Sequence, residues 1–160
     1  MRINFIRASQ ADKDATRQII ADPAYRASYT GPKTLQAMRA GTVALAAHAS
    51  IRKVQSGITL VENTLNGIPC ETLTRPDADA DRVILYLHGG AFVRGSLELG
   101  RANASLLAAA AGVRVVAIAY RQAPEHPYPA APADLLKAYD ALLDSGVGPD
   151  AIVVQSRRRP

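Results

Sequence analysis

The fold is decided by Val83-Ile84-Leu85-Tyr86-Leu87-His88-Gly89-Gly90-Ala91-Phe92. Its first five residues are apolar at every position, which is typical of a strand buried on both faces of a parallel sheet. The paired glycines that follow free the backbone to turn sharply and to present consecutive N–H groups to a ligand. Two N–H groups aimed at one point can stabilise a negatively charged oxygen. The sequence therefore predicts an anion-stabilising loop directly after this strand.

Strands and helices alternate on the C-terminal side of the loop. We expect a helix from Ser96 to Ala111 that ends at Gly112, a strand at Val113–Tyr120, a helix at Pro129–Asp144 and a third buried strand at Asp150–Val154. Leu136 belongs to the predicted apolar stripe of the second helix. Alternation with short links indicates a right-handed α/β winding, in which ligands bind beyond the carboxyl ends of the strands. The glycine loop lies at such an end.

The N-terminal side of the loop predicts a hairpin and a helical segment. Two strands, Ile58–Glu62 and Ile68–Leu73, flank Asn66-Gly67, a strong hairpin signal, and residues 75–81 form a polar connection. Before residue 55 the chain is rich in helix formers, and Ser9 and Thr34 are candidate helix N-caps. The expected fold class is α/β, with a mostly parallel sheet, an N-terminal hairpin and flanking helices.

Composition limits the function classes. The chain has 160 residues, 48% hydrophobic and 21% charged, which is typical of one globular domain. No apolar run is long enough for a membrane span, and the first residues lack a secretory signal, so we expect a cytoplasmic protein. Cys70 is the single cysteine and cannot form an internal disulfide. We expect no metal and no cofactor.

The net charge of +5 comes largely from one short segment. Arg157, Arg158 and Arg159 supply three of these charges, so the excess is not spread along a helix or groove. Nucleic-acid binders combine such a spread with aromatic side chains, which are only 5% of this chain. The sequence therefore argues against a nucleic-acid partner.

Two motifs together resemble a known enzyme family. They are His88-Gly89-Gly90-Ala91-Phe92 and Tyr120-Arg121-Gln122-Ala123-Pro124-Glu125-His126-Pro127-Tyr128-Pro129-Ala130-Ala131, with Asp134 shortly after the second. They resemble the hormone-sensitive-lipase family of α/β-hydrolases, and its bacterial esterases most of all. The resemblance implies the N-terminal half of an α/β-hydrolase domain at residues 56–154. It also implies a helical cap segment at residues 1–55 and leaves residues 155–160 as a basic tail outside the family pattern.

The resemblance also implies site residues. The N–H groups of Gly89 and Gly90 would be oxyanion-hole donors, and Ala91 stands where some members have a third glycine. His88 would support the loop by hydrogen bonding rather than act as the catalytic base. A structural network that holds the second motif would consist of Arg121, Glu125 and His126. The substrate of full-length relatives would be a small acyl ester.

The family pattern stops at the expected nucleophile. Members carry Gly-x-Ser-x-Gly after the next strand, but here Ile152-Val153-Val154 is followed by Gln155-Ser156-Arg157-Arg158-Arg159-Pro160. Ser156 has no flanking glycine, so it is a doubtful nucleophile, and the triad acid and base follow the serine in family order. We therefore expect a carboxylic-ester hydrolase, esterase or lipase, in the form of a truncated, inactive fragment.

The sequence leaves three alternatives open. The chain could be the non-catalytic product of a frameshifted gene, since GC-rich codons for a glycine-rich elbow read out of frame yield glutamine and arginine. It could also be a binding module that uses the His-Gly-Gly loop, or half of a split enzyme. In the product of a broken gene, the truncated sheet would leave the strand near Ile152 as an apolar edge, through which the chain could self-associate.

Overall fold

A computed structural model of the protein describes residues 10–23, 26, 30, 34–48 and 53–156. The chain divides into two compact units between Lys53 and Val54. The first unit contains helices α1 (Gln10–Ala21) and α2 (Leu35–Ala47). The Thr34 hydroxyl accepts a hydrogen bond from the Ala37 N–H, as expected of an N-cap, whereas Ser9 lies outside the described residues. The role of residues 1–55 as a cap over an active site stays a prediction.

The second unit is built on a five-stranded sheet. Its strands are β1 (Thr59–Leu65), β2 (Ile68–Thr74), β3 (Asp79–Leu87), β4 (Val113–Ile118) and β5 (Ile152–Ser156), in the spatial order β1-β2-β4-β3-β5. β3 pairs in parallel with β4 on one side and β5 on the other, and β2 pairs antiparallel with β1 and β4. The remaining elements are helices α3 (Leu97–Ala111) and α4 (Ala130–Asp144) and a short 3-10 turn at Pro149–Ala151. The α/β class predicted from the sequence is confirmed.

Both faces of β3 are covered, which explains its unbroken apolar run. Val83, Leu85 and Leu87 lie in one core with Ala138 and Leu142 of α4. Tyr86 lies in the other core, which contains the residues Leu73, Ala104, Ala108, Val115 and Ala117. Because successive side chains of a strand point to opposite faces, a strand between two helical layers must be apolar throughout. The glycine loop therefore begins at a point fixed by two cores.

The local signals at the turns are also confirmed. Asn66 and Gly67 have φ of 49° and 78°, the pair of positive values that a two-residue type I′ hairpin turn needs. Ser96 caps α3 by accepting a hydrogen bond from the Leu99 N–H, and Gly112 ends the helix in the left-handed conformation.

Three details differ from the sequence prediction. β3 begins at Asp79, inside the predicted polar connection, because the Asp79 N–H bonds the Gly112 carbonyl before the register shifts towards Val83. Leu136, placed on the apolar stripe of α4, is 61% exposed. β5 continues through Gln155 to Ser156.

β5 was predicted to be buried, and this prediction is wrong for the residues that the structure describes. Val153 and Val154 are 57% and 48% exposed. β5 is the last strand of the described sheet, and β3 is its one partner among the described strands. Self-association through this edge stays a prediction.

A buried ion pair ties α3 to the hairpin. Glu71 on β2 is 2% exposed, and its carboxylate accepts hydrogen bonds from Nε and Nη2 of Arg101, the Nε contact at 3.1 Å. Glu62 on β1 lies 3.8 Å from the same guanidinium and is largely exposed. The two hydrogen bonds compensate the Glu71 carboxylate for its loss of solvent.

Two kinds of feature are absent from the described residues. No helix in the described part of the chain has the length and apolar character to cross a membrane. Nor do residues 10–48 and 53–156, where described, bring together three or more His, Cys, Asp or Glu side chains around a metal position.

Candidate active site

The glycine loop leaves β3 in an unusual backbone conformation. Gly90 has a φ of 145°, and Ala91 and Phe92 have φ of 54° and 61° although both carry side chains. A Cβ on Gly90 would lie 1.7 Å from the Arg94 carbonyl oxygen, so only glycine fits there. Consecutive residues with side chains at positive φ are strained, and such strain clusters at functional sites.

The loop presents three consecutive N–H groups without a partner. Among the described residues, no group accepts a hydrogen bond from the N–H of Gly89, Gly90 or Ala91. Gly89 and Gly90 are half-buried and Ala91 is exposed. Main-chain N–H groups without an internal partner are free to donate to a bound acceptor. Their position beyond the carboxyl end of β3 is where ligands bind in open α/β sheets.

His88 lies beneath the loop rather than in an open cleft. It is 4% exposed, and its ring stacks on Tyr120 with centroids 4.4 Å apart and planes at 17°. Nδ1 lies 3.1 Å from the Gly89 carbonyl oxygen, while Nε2 has no hydrogen-bond partner in the described chain. Burial lowers the pKa of His88, against a smaller opposing effect of the Gly89 carbonyl. A buried neutral imidazole is poorly placed to take a proton from a substrate.

The lowered pKa of His88 predicts a pH dependence of stability. Unfolded His88 binds a proton near its ordinary pKa of 6.5, whereas the folded side chain requires a lower pH. The contribution of neutral His88 to the free energy of unfolding is therefore fully present above about pH 6.5. It is lost as the pH drops towards the folded-state pKa, by at most about 1.4 kcal/mol per pH unit. Urea unfolding between pH 8 and pH 5 should show this loss in the wild type, and His88→Gln should flatten that part of the curve. Equal slopes for both proteins would contradict the assignment.

The second motif holds the glycine loop from below. The Tyr120 hydroxyl donates a hydrogen bond of 2.7 Å to the His88 carbonyl, and its ring meets Phe92 edge-on at 5.8 Å. Gln122 donates from its side chain to the Gly95 carbonyl at 3.1 Å, and the Ala123 N–H donates to the Phe92 carbonyl at 2.9 Å. These contacts connect residues 88–95 to residues 120–123 along their length.

Arg121 anchors the second motif to α4. Its guanidinium and its main-chain N–H both donate to the Asp134 carboxylate, at 2.8–3.0 Å. Burial pushes the pKa of Asp134 upward, but the hydrogen bonds and charge of Arg121 outweigh it and hold the pKa below its ordinary value. Glu125 and His126 are exposed, and the network predicted for them stays a prediction.

Ser156 ends β5 opposite Leu87, next to the start of the glycine loop. It is exposed, and the residues the structure describes give its hydroxyl no hydrogen bond. The nearby histidine of the loop, His88, is buried with its Nδ1 beside the Gly89 carbonyl. A serine needs a base within hydrogen-bond reach to become a nucleophile. The described residues supply none.

Sequence reasoning missed the role of Tyr120. The residue was recognised as the first position of the second motif, but nothing in the sequence pairs its hydroxyl with a carbonyl 32 residues earlier. The available signal was its position two residues after β4, the strand that pairs with β3 in the sheet. A tyrosine there is buried and needs a partner for its hydroxyl.

Sequence comparisons match the part of the chain that builds this site. A profile of the alpha/beta hydrolase fold, Abhydrolase_3, matches residues 84–155. An acetyl-hydrolase of Streptomyces hygroscopicus is 42% identical over 50% of this chain and 27% of its own length. An ethyl acetate hydrolase of Pseudomonas putida is 36% identical over 64% of this chain and 32% of its own length.

Solved structures match nearly the whole chain. An esterase from the bacterial hormone-sensitive lipase family aligns with 94% of this chain and 48% of its own, at a TM-score of 0.74 and 33% identity. The esterase EstE5, in crystals soaked with p-nitrophenyl butyrate, aligns with 93% of this chain and 48% of its own, at a TM-score of 0.72 and 30% identity. The chain thus belongs to the hormone-sensitive-lipase-like family of α/β-hydrolases and spans about half the length of its solved members.

Proposed function

We propose that this chain provides the oxyanion-hole half of a carboxylic-ester hydrolase. The observation that carries the proposal is the set of three unpartnered N–H groups at Gly89, Gly90 and Ala91, held by a strained loop beyond the carboxyl end of β3. The family membership of the chain supports an acyl-transfer chemistry for such a loop. Donors of this kind act where charge develops in the transition state.

In the proposed mechanism a serine attacks the ester carbonyl, and the carbonyl oxygen becomes an anion in the tetrahedral intermediate. The N–H groups of Gly89 and Gly90 donate hydrogen bonds to this oxygen, and Ala91 offers a third donor. His88 takes no proton from the serine, because its ring is buried. It keeps the loop in place instead. The proton passes to a separate base, as in other serine hydrolases.

The proposed substrates are small acyl esters. Their support is the named activity of relatives, an acetyl-hydrolase and an ethyl acetate hydrolase, and the p-nitrophenyl butyrate soaked into EstE5. The same proposal includes a cytoplasmic location and no nucleic-acid partner. Both are supported by the composition of the sequence.

We further propose that residues 1–160 alone do not hydrolyse esters. Support comes from the sequence, where no Gly-x-Ser-x-Gly motif occurs and Ser156 is flanked by Gln155 and Arg157. The chain also spans only 48% of the esterase from the bacterial hormone-sensitive lipase family. A frameshifted gene and a split enzyme both agree with an inactive 160-residue chain. The nucleotides downstream of the codon for Ser156 would separate these two origins.

The test has an activity arm and a complementation arm. Neither the purified 160-residue chain nor its Ser156→Ala variant should hydrolyse p-nitrophenyl acetate faster than buffer without protein does. A fusion that ends this chain at Val154 and continues with the part of the hormone-sensitive-lipase-family esterase that the alignment does not cover should restore turnover. Turnover by the 160-residue chain that Ser156→Ala abolishes would refute the inactivity. A folded fusion without any activity would refute the oxyanion-hole proposal.

A further inference from the structure

The carbonyl groups of His88, Gly89 and Gly90 all accept hydrogen bonds, whereas the N–H groups of Gly89, Gly90 and Ala91 donate to no group in the described part of the chain. The His88 carbonyl accepts from the Tyr120 hydroxyl at 2.7 Å, and the Gly89 carbonyl accepts from His88 Nδ1 at 3.1 Å. The Gly90 carbonyl accepts from the N–H groups of Val93 and Arg94, each at 3.2 Å. The carbonyls of residues 88 and 89 are thus each fixed by one donor, and that of residue 90 by two.

These carbonyls belong to the same peptide units as the open N–H groups. A peptide unit is planar, and in the trans form its C=O and N–H point in opposite directions. The three peptide bonds from His88 to Ala91 are trans. Fixing the His88 carbonyl therefore fixes the direction of the Gly89 N–H, and fixing the Gly89 carbonyl does the same for the Gly90 N–H.

We propose that Tyr120 is a positioning residue that aims an oxyanion-hole donor, the Gly89 N–H, while His88, whose support of the loop the family resemblance already implies, does the same for the Gly90 N–H. This inference rests on the proposed function for its catalytic meaning. Neither side chain touches the substrate. Each holds a carbonyl on the far side of the peptide unit whose N–H faces the site.

One tautomer of His88 satisfies the whole hydrogen-bond network, in which Nδ1 also lies 3.3 Å from the Tyr120 hydroxyl oxygen. A carbonyl oxygen only accepts, so Nδ1 must carry the proton that it donates to Gly89. The Tyr120 hydroxyl already donates to the His88 carbonyl, and its raised pKa of about 12, caused by burial, keeps it protonated. Nε2 then carries a lone pair, so the unpartnered buried atom is an acceptor rather than a donor. The opposite tautomer would bury an unsatisfied N–H and lose the bond to Gly89.

Tyr120 is also well packed for this task. It is 4% exposed, its ring lies flat against the imidazole of His88, and the edge of Phe92 closes on it. Removing only its hydroxyl leaves these ring contacts in place. Tyr120→Phe therefore separates the hydrogen bond from the packing of the ring.

The test measures N–H directions by NMR in the 160-residue chain. In Tyr120→Phe, the residual dipolar coupling of the Gly89 N–H should change, while that of the Ala91 N–H stays at its wild-type value. Tyr139→Phe is the matched control, since the Tyr139 side chain on α4 packs against the core and its hydroxyl bonds no group in residues 53–156. It should leave both couplings unchanged. An unchanged Gly89 coupling in folded Tyr120→Phe would overturn the proposal.

A second measurement needs no substitution. The imidazole ¹⁵N shifts of wild-type His88 should show a protonated Nδ1 and a pyridine-type Nε2 at neutral pH. A protonated Nε2 would overturn the role of His88 even if Tyr120→Phe failed to fold. Neither readout depends on ester turnover, so failure here is distinguishable from failure of the proposed function.

Discussion

Gly90→Ala is expected to destroy the glycine loop and to destabilise the protein by about 3 kcal/mol or more. The new Cβ would lie 1.7 Å from the Arg94 carbonyl oxygen and 2.5 Å from the carbonyl carbon. Because these are main-chain atoms, relieving the clash requires a shift of the backbone, which costs free energy. The φ of 145° adds strain that alanine avoids elsewhere. In any ester-hydrolysing form of the protein, kcat should fall by about 10² to 10³, the cost of losing an oxyanion donor.

Two other glycines of the same unit separate the effect of the Cβ clash from the effect of backbone strain. Gly146 also has positive φ, at 93°, but open space for a Cβ, so Gly146→Ala should cost about 1–2 kcal/mol. Gly148 has φ of −65° and open space, so Gly148→Ala should change stability by less than about 0.5 kcal/mol. Urea unfolding of the three variants gives the comparison. A cost for Gly90→Ala no larger than that for Gly146→Ala would contradict the described loop.

Removing one partner of the Glu71–Arg101 pair is expected to cost about 3–5 kcal/mol of the free energy of unfolding. Glu71→Met leaves the Arg101 guanidinium without its buried carboxylate, and Arg101→Leu leaves a carboxylate that is 2% exposed without its donors. The double variant removes both charges and should lie within about 1 kcal/mol of the wild type, because apolar packing replaces a neutralised pair. Chemical denaturation of all four proteins measures the coupling.

The exposed pair of Arg75 and Asp77 is the control within the same unit. Its atoms are 2.6 Å apart, but both side chains reach solvent. Asp77→Ala should leave the free energy of unfolding unchanged within error, because exposed ion pairs contribute little. If Glu71→Met were equally harmless, the pair would not be buried as described.

The elements that could be predicted are those whose signal is local. The apolar run at Val83–Leu87, the Asn66-Gly67 turn and the Ser96 cap each depend on neighbours in sequence, and the structure confirms them. Asp79 was assigned to a connection because it is polar, but its strand pairing comes from the main chain of Gly112. The exposure of Val153 depends on which elements pack against β5, and the residues of β5 do not determine this.

The candidate site was predictable in its proposed donors and only partly in its supports. The glycines at 89 and 90 carry a family motif, so their proposed main-chain role followed from the residues themselves, as did the loop support by His88. The tyrosine at 120 and the glutamate at 71 act on partners 32 and 30 positions away. Such distant pairs arise from strand order and helix packing. A buried polar residue inside an apolar strand, as at Glu71, is the one sign in the sequence that a partner must exist.

The central claim is that the N–H groups of Gly89, Gly90 and Ala91 converge on one negatively charged oxygen. Titrating the ¹⁵N-labelled 160-residue chain with methylphosphonate tests it most directly, since this tetrahedral anion resembles the intermediate in shape and charge. The account predicts that the three N–H resonances move downfield together along one saturable curve, while Gly146 and Gly148 stay in place. Shifts no larger than those of Gly146 and Gly148 would contradict it.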